Sequence, residues 1–135
     1  MGDYMPELLT IAHVSLTVSD LDRSIAWYER VFDAKLVLDD ESGPFRRAVL
    51  VVAGQALVGL QEFPDPADNL PFNERRVGLD HLAFACSSRD ELEAWKARLD
   101  ELGVINSGVV GAGYGSVLPF RDPDNIALEF FALPS

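Results

Sequence analysis

The sequence has little cysteine, little positive charge and no long apolar run. Its 135 residues include one cysteine, Cys86, so no disulfide forms within the chain and a reducing compartment, the cytoplasm, is expected. Eleven basic against 22 acidic residues give a net charge of −11, which argues against nucleic acid or an anionic membrane as a partner. No apolar stretch approaches the ~20 residues that span a bilayer, and "MGDYMPEL" lacks the regions of a signal peptide.

The composition is that of one globular domain. Hydrophobic residues make up 48% of the sequence and charged residues 24%, which supplies enough apolar side chains for a core. We therefore expect a single domain over residues 1–135.

The second half of the sequence repeats the first at a fixed offset of 68 positions. The shift superposes identical residues, among them His13 and His81, Trp27 and Trp95, and Arg30 and Arg98. It also places "HVSLTVS" (13–19) on "HLAFACS" (81–87), and "VGLQEF" (58–63) on "IALEFF" (126–131), so that Gln61 falls on Glu129. The repeat predicts one module at about 9–63, a linker at 64–77 and a second module at about 78–133.

Each half predicts a strand, a helix and three further strands. In the first half the strands are expected at about 9–18, 35–40, 45–53 and 56–63, with the helix in "SDLDRSIAWYERVF". In the second half they are expected at 79–86, 104–110, 114–121 and 125–132, with a helix opening at the capping box "SRDE" (88–91). The predicted fold class is α+β, with tandem βαβββ modules whose curved sheets form a cleft and whose helices lie outside.

Alternation along the strands places four potential metal ligands on the cleft faces. His13 and His81 belong to the first strands of the two modules, and Gln61 and Glu129 to the last. Two imidazoles, a carboxylate and an amide oxygen suit a divalent ion such as Zn, Ni, Mn, Fe or Co, with positions left for substrate. The pattern predicts that the four side chains converge on one site.

Simpler interpretations of these residues stay open on the sequence alone. A histidine in an apolar strand is often a core residue whose ring is hydrogen-bonded by a neighbour. Glu62 competes with Gln61 as the oxygen ligand from that strand, although its parity disfavours it. Cys86 is expected to be an inert, buried thiol rather than a nucleophile.

Three stretches of the chain resemble the vicinal oxygen chelate superfamily, also called the glyoxalase/bleomycin resistance/extradiol dioxygenase superfamily. They are "HVSLTVSDLDRSIAWYERVF" (13–32), "GLDHLAFAC" (78–86) and "FRDPDNIALEFF" (120–131), and the similarity covers about residues 9–133. The resemblance implies a U-shaped cleft around a divalent metal, with His13, Gln61, His81 and Glu129 at the ligand positions. It also implies a homodimer, in which His13 and Gln61 of one chain meet His81 and Glu129 of the other.

The resemblance further implies a glyoxalase-type lyase or isomerase. A small substrate would bind through two neighbouring oxygens, with an enediolate-like intermediate stabilised by the metal. Glu129 would be the catalytic residue that moves the proton, since an amide such as Gln61 has no useful basicity. The side chains expected to line the substrate pocket are Arg47, Phe63, Tyr114 and Phe120.

Two other functions compete with this one. A ring-cleaving dioxygenase of the extradiol type would use His13, His81 and Glu129 to hold non-haem Fe(II), but a fourth protein ligand would occupy a position that oxygen and substrate need. A non-catalytic protein that binds an antibiotic would share the fold, but such relatives generally lack the metal ligands.

Overall fold

The computed structural model describes residues 2–134, which form two successive βαβββ modules. This confirms the predicted α+β fold class. The first module contains β1 (Val14–Thr17), α1 (Leu21–Phe32), β2 (Lys35–Asp40), β3 (Arg46–Val52) and β4 (Ala56–Glu62). The second contains β5 (Leu82–Ala85), α2 (Arg89–Glu101), β6 (Val110–Ala112), β7 (Gly115–Arg121) and β8 (Ala127–Ala132).

Each module builds one four-stranded mixed sheet of the same topology. The strand orders are β1-β4-β3-β2 and β5-β8-β7-β6. The first strand of each module pairs in parallel with the last, and the remaining neighbours are antiparallel. Strands β1 and β5 are therefore edge strands, each with one side of its backbone unpaired.

Side-chain caps define where the two helices begin. The Asp20 carboxylate accepts a hydrogen bond from the Arg23 amide at 3.2 Å, and the Ser88 hydroxyl accepts one from the Glu91 amide at 3.2 Å. Both satisfy amides that have no partner within the helix. Helix α1 ends at Asp33, which adopts a left-handed conformation with φ of 53°.

The first strands of both modules are shorter than predicted. The expected strands at 9–18 and 79–86 are observed at Val14–Thr17 and Leu82–Ala85. In the first module Val14 pairs with Val58 and β4 begins two residues earlier, at Ala56, so residues 9–11 have no strand to pair with. As a result the apolar segment 4–11 leaves the domain surface, and Leu8, Leu9 and Ile11 are at least 78% exposed.

The second strand of the second module is also shorter than predicted. The sequence favours a strand at 104–110, but β6 covers only Val110–Ala112 and is preceded by an isolated bridge between Asn106 and Phe120. The Asn106 amide donates to the Asp100 carboxylate at 2.8 Å and to the Val104 carbonyl at 3.2 Å. These contacts tie the segment to the end of α2 rather than to a sheet.

The helix-facing sides of both sheets belong to one hydrophobic core. Phe32, at the end of α1, reaches across the module boundary, with ring centroids 4.7 Å from Phe84 and 5.6 Å from Phe130. Trp27 of the same helix lies 6.3 Å from Phe120 in β7. The two modules of one chain are therefore joined through their helical sides.

Polar contacts reinforce this joint. The Arg98 guanidinium donates to the backbone carbonyls of Val31 and Arg30 at 3.0 and 2.6 Å. The buried Tyr28 hydroxyl donates to the Asp122 carboxylate at 2.8 Å, which connects α1 to the turn between β7 and β8. In the described part of the chain, no helix is long and apolar enough to cross a membrane.

Candidate metal centre

The sheet faces that point away from the helices carry the predicted ligands. Along β1, Leu16 and Val18 are buried in the core, whereas His13, Ser15 and Thr17 lie on the other side and are exposed. In the second module Ala83 and Ala85 are exposed in the same way. We call these outward surfaces the cleft faces of the two modules.

His81 and Glu129 meet on the cleft face of the second module. Ala83, two residues after His81, is the register partner of Glu129 across the β5–β8 pair. The His81 Nε2 atom lies 3.7 Å from Glu129 Oε1, and the two side chains are 45% and 17% exposed. A histidine nitrogen and a carboxylate oxygen thus face the same small volume at the floor of this face.

The register places Gln61 elsewhere, so its predicted equivalence with Glu129 is wrong. Gln61 pairs with Thr17, whereas Glu129 pairs with Ala83. At the offset of 68 that relates the first strands, Ala83 corresponds to Ser15 of the first module. The residue opposite Ser15, and hence the structural counterpart of Glu129, is Gly59. Gln61 lies four strand positions from His13, or about 13 Å along the strand.

Two extra residues in the second module cause this discrepancy. The offset of 68 holds for the first strands and the helix caps, since Asp20 corresponds to Ser88. In the last two strands the offset becomes 70, because the cross-strand pair Arg47–Gln61 of the first module corresponds to the pair Val117–Phe131 of the second. The similarity of "VGLQEF" to "IALEFF" is therefore out of structural register.

Gly59 has no side chain that could act as a ligand, and the hydroxyl of Ser15 occupies the space beside it. A Cβ atom built on it would lie 2.5 Å from the Ser15 hydroxyl oxygen, well inside van der Waals contact. The first module consequently offers one potential metal ligand, His13, at the position where the second module offers two.

One chain does not bring the ligands of both modules together. Within residues 2–134, no group of three or more histidine, cysteine, aspartate or glutamate side chains is arranged to hold a metal ion. The predicted convergence of His13, Gln61, His81 and Glu129 within the fold is therefore not observed. The physical reason is the shared core, which joins the modules by their helical sides and leaves both cleft faces exposed.

A second carboxylate contacts the other nitrogen of the His81 ring. Asp80 Oδ1 lies 2.7 Å from His81 Nδ1. Sequence analysis missed this residue, although its position directly before the candidate histidine was visible. Beside it, Arg121 donates two hydrogen bonds to the Glu74 carboxylate, at 2.9 and 3.2 Å, which lower the pKa of Glu74 to about 2.

Glu62, the alternative oxygen ligand, has a structural role. Its carboxylate accepts a hydrogen bond from the Leu21 amide at 2.7 Å, at the first turn of α1. A negative charge there interacts favourably with the positive end of the helix dipole. Glu62 thus faces the helical side of the sheet and not the cleft.

The residues expected to line the substrate pocket do not share one environment, because some lie in the hydrophobic core and others on the cleft faces. Phe120 is 3% exposed and stacks on Phe130, with ring centroids 5.1 Å apart, so its assignment to the pocket is wrong. Its strand parity directs it toward the helices. Tyr114 stacks on Phe131 of the cleft face, with centroids 6.2 Å apart and planes 7° from parallel.

The remaining two pocket candidates lie at the far end of the first module's sheet. Arg47 pairs with Gln61 and lies 3.7 Å from the Asp40 carboxylate, with 54% of its side chain exposed. Phe63 packs against Phe45, with ring centroids 4.7 Å apart. An arginine and two aromatic rings therefore flank the row that contains Gln61.

Cys86 lies away from the candidate ligands, in a cavity of about 490 Å³ between the modules. Phe32, Val52 and Trp95 also line this cavity. Burial raises the pKa of the Cys86 thiol, and the nearby Glu91 charge adds to the effect. A raised pKa disfavours the thiolate that a nucleophile or metal ligand requires.

The chemistry of the donors fits a divalent metal. Ions of this class bind imidazole nitrogen and carboxylate oxygen at about 2.0–2.2 Å. The 3.7 Å between His81 Nε2 and Glu129 Oε1 is less than twice that length, so one ion reaches both atoms. His13 carries the second imidazole of the proposed ligand set, and this residue is exposed to solvent.

Comparison with known proteins places this arrangement in context. Residues 10–130 match the family model described as "Glyoxalase/Bleomycin resistance protein/Dioxygenase superfamily". The metallothiol transferase FosB of Bacillus licheniformis is 30% identical over 125 residues, which cover 91% of this chain and 75% of that protein.

Two crystal structures have the same fold. A glyoxylase/bleomycin resistance protein/dioxygenase domain from Frankia sp. EAN1pec is 36% identical, with a TM-score of 0.87 over 96% of this chain and 95% of that one. A variant of the fosfomycin resistance protein FosX from Listeria monocytogenes is 22% identical, with a TM-score of 0.72 over 95% of both chains. That FosX variant was crystallised with Mn(II) and 1S,2S-dihydroxypropylphosphonic acid.

Proposed function

Because this chain belongs to the glyoxalase/bleomycin resistance protein/dioxygenase superfamily, we propose that it is a metal-dependent enzyme whose active site forms between two copies of the chain. In this proposal His13 of one copy, with His81 and Glu129 of the other, holds a divalent ion: Zn, Ni, Mn, Fe or Co. The observation that carries the proposal is the 3.7 Å approach of His81 Nε2 to Glu129 Oε1 on an exposed cleft face.

Three features support a second copy as the partner. His13 lies on a different cleft face from His81 and Glu129, and among the described residues no third histidine, cysteine, aspartate or glutamate joins that pair, which favours a ligand from another molecule. Both β1 and β5 are edge strands with unpaired backbone groups, which favour contact with another chain. The segment directly before His13 exposes Leu8, Leu9 and Ile11, and apolar surface of this kind marks a protein interface.

The proposed site leaves coordination positions for substrate. Three protein ligands and a substrate bound through two neighbouring oxygens leave an octahedral ion one position for water. When bound, the metal supplies Lewis-acid stabilisation of negative charge that develops on the substrate oxygens. Glu129 is the carboxylate that moves a proton to or from the substrate, since it is the ligand with useful basicity.

The reaction class that we propose joins a thiol to a small substrate or removes it. The relative FosB is a metallothiol transferase, and this similarity supports thiol chemistry for the present chain. Arg47, exposed beside Gln61, would hold an anionic group of the substrate, and Tyr114 with Phe131 would form an apolar wall.

Ring-cleaving oxygenation is the second candidate, and the strand register favours it more than the sequence did. With Gln61 removed from the ligand set, two histidines and one carboxylate remain. This set leaves three positions of an octahedral Fe(II) for oxygen and substrate. The objection that a fourth protein ligand blocks the site therefore no longer applies.

Metal titration tests the proposed ligand set directly. We expect the wild type to bind a divalent ion, and His81→Ala to lose that binding because a ligand is missing. Gln61→Ala is the control on the cleft face of the first module, and it should keep metal affinity. Equal affinity in wild type and His81→Ala would contradict the proposal, and loss in Gln61→Ala would restore the four-ligand site.

Substrate assays on the metal-loaded wild type then separate the reaction classes. We expect turnover of thiol adducts of 2-oxoaldehydes, or transfer of a thiol to a small phosphonate epoxide. Cleavage of catechols under oxygen with Fe(II), without thiol chemistry, would assign the dioxygenase function instead. Bound metal without turnover of any of these substrates would favour a binding protein.

A further inference from the structure

The two nitrogens of the His81 ring face two different carboxylates. Nδ1 lies 2.7 Å from Asp80 Oδ1, and Nε2 lies 3.7 Å from Glu129 Oε1. The first distance is that of a charge-assisted hydrogen bond, whereas the second is too long for a hydrogen bond. Asp80 and Glu129 therefore have different relations to the same imidazole.

The contact with Asp80 determines which nitrogen carries the proton in a neutral ring. An ionised aspartate only accepts hydrogen bonds, so the proton must lie on Nδ1. Nε2 then carries a lone pair on the side of Glu129. Two electron-pair donors facing one another are unfavourable unless a cation lies between them, which is the arrangement of a ligand pair.

We propose that Asp80 is a positioning residue for the metal site, one that fixes the tautomer and orientation of His81 so that Nε2 is free to coordinate. A metal-bound histidine usually donates its other N–H to a carboxylate or a carbonyl, which orients the ring and increases its basicity. The metal-binding part of this inference rests on the proposed function, but the tautomer part does not.

An ion pair between Arg121 and Glu74 lies close to Asp80. Arg121, which donates to Glu74, experiences the negative charge of Asp80, and both carboxylates raise its pKa, with the Glu74 hydrogen bond the larger cause. Arg121 therefore offsets the negative charge that gathers around His81. Neighbouring side chains thus lead from the linker to the candidate metal site in the order Glu74, Arg121, Asp80, His81 and Glu129.

The first module has no counterpart of the contact between Asp80 and His81. The residue before His13 is Ala12, so the histidine of that module receives no carboxylate from its neighbour in the chain. The second module thus supplies both the carboxylate ligand and the oriented imidazole. We infer that it determines most of the metal affinity and that His13 completes the site.

Nitrogen-15 NMR of the metal-free protein tests the tautomer. The chain has two histidines, so a spectrum of His13→Asn assigns His81 without further variants. At about pH 8, where an ordinary imidazole is neutral, we expect His81 to show a protonated Nδ1 and a bare Nε2. In Asp80→Ala the signal should move toward the mixture of tautomers that a free imidazole adopts.

Metal titration of the same variants tests the consequence. Asp80→Ala should weaken the binding of Mn(II) or Ni(II) by about 10–100-fold, the range observed when an outer partner of a ligand is removed. Asp80→Asn should lose less, because its amide oxygen still accepts from Nδ1. Asp65→Ala is the control, since it removes one exposed carboxylate from the linker before Asp80.

The outcomes separate this inference from the proposed function. An unchanged His81 tautomer in Asp80→Ala would overturn the inference, and so would an altered tautomer with unchanged affinity. Loss of affinity equal in Asp65→Ala and Asp80→Ala would also overturn it, because general charge would then explain the effect. If the wild type binds no metal, the proposed function fails, while the NMR spectra still decide the role of Asp80.

Discussion

At the scale of single residues, the candidate site depends on which carboxylate and which imidazole share a cleft face. The sequence predicted both histidines and Glu129 on such faces, because strand parity depends only on alternation. It could not place Gln61, because a difference of two residues preserves parity. Gln61 and Gly59 both lie on the cleft side, and only the pairing of β1 with β4 shows which of them is opposite Ser15.

Glu129 is the residue whose role a conservative substitution tests most sharply. Glu129→Gln should keep most of the metal affinity, since an amide oxygen still coordinates, but it cannot accept a proton. Loss of a positioned base typically lowers the rate by about 10²–10⁴-fold. Steady-state turnover and metal titration of the same preparation measure both quantities. Full turnover in Glu129→Gln would refute the assignment of this residue as the base.

At the scale of helices and strands, the tie between α1 and the β7–β8 turn joins the two modules. Asp122 accepts hydrogen bonds from the Tyr28 hydroxyl, the Asp124 amide and the Ile126 amide, at 2.8, 2.9 and 2.8 Å. This turn has the composition Asp-Pro-Asp-Asn, and Asn125 adopts a positive φ of 67°. The contact with Tyr28 was not predictable, because it joins residues 94 positions apart.

This buried carboxylate makes the stability of the fold dependent on pH. Burial raises the pKa of Asp122 above the ordinary value of 3.8, and the charge of Asp124 adds to the effect. The folded chain therefore holds the proton more tightly than the unfolded chain does. The resulting stabilisation is complete below pH 3.8 and is lost as the pH rises through the raised value.

Asp122→Asn removes this titration and keeps an oxygen acceptor for the two amides of the turn. We expect the free energy of unfolding of the wild type, relative to Asp122→Asn, to fall as the pH rises from about 4 toward neutrality. Urea denaturation at a series of pH values measures the difference, with the exposed Asp65→Asn as control. A difference that does not vary with pH would show that the burial of Asp122 has no such effect.

Element boundaries differed from the prediction where tertiary contacts decide them. Both helices were predicted well, because their caps are local signals at Asp20 and Ser88. Strand β6 was not, because Asn106 satisfies its hydrogen bonds at the end of α2. Local sequence does not show whether a β-prone segment has a neighbouring strand available.

At the scale of the whole molecule, the central feature is that the modules share a core on their helical sides. Phe32 and Trp27 of α1 contact aromatic residues of the second module, and the cleft faces remain exposed. The repeat predicted two similar modules but could not predict which sides would meet, since that depends on contacts between residues far apart in the chain. The active site of the proposed enzyme is therefore a property of two chains.

Metal binding by mixed dimers tests this claim most directly. A heterodimer of His13→Ala and His81→Ala chains, purified through two different tags, places both defects in one site and leaves the other site intact. We expect about half the metal content of the wild-type dimer, as two-fold symmetry requires, whereas a homodimer of His81→Ala chains binds none. A heterodimer of His81→Ala and Glu129→Ala chains is the control, since both of its sites are defective. A His13→Ala/His81→Ala heterodimer that binds no more metal than this control would contradict a site shared between two chains.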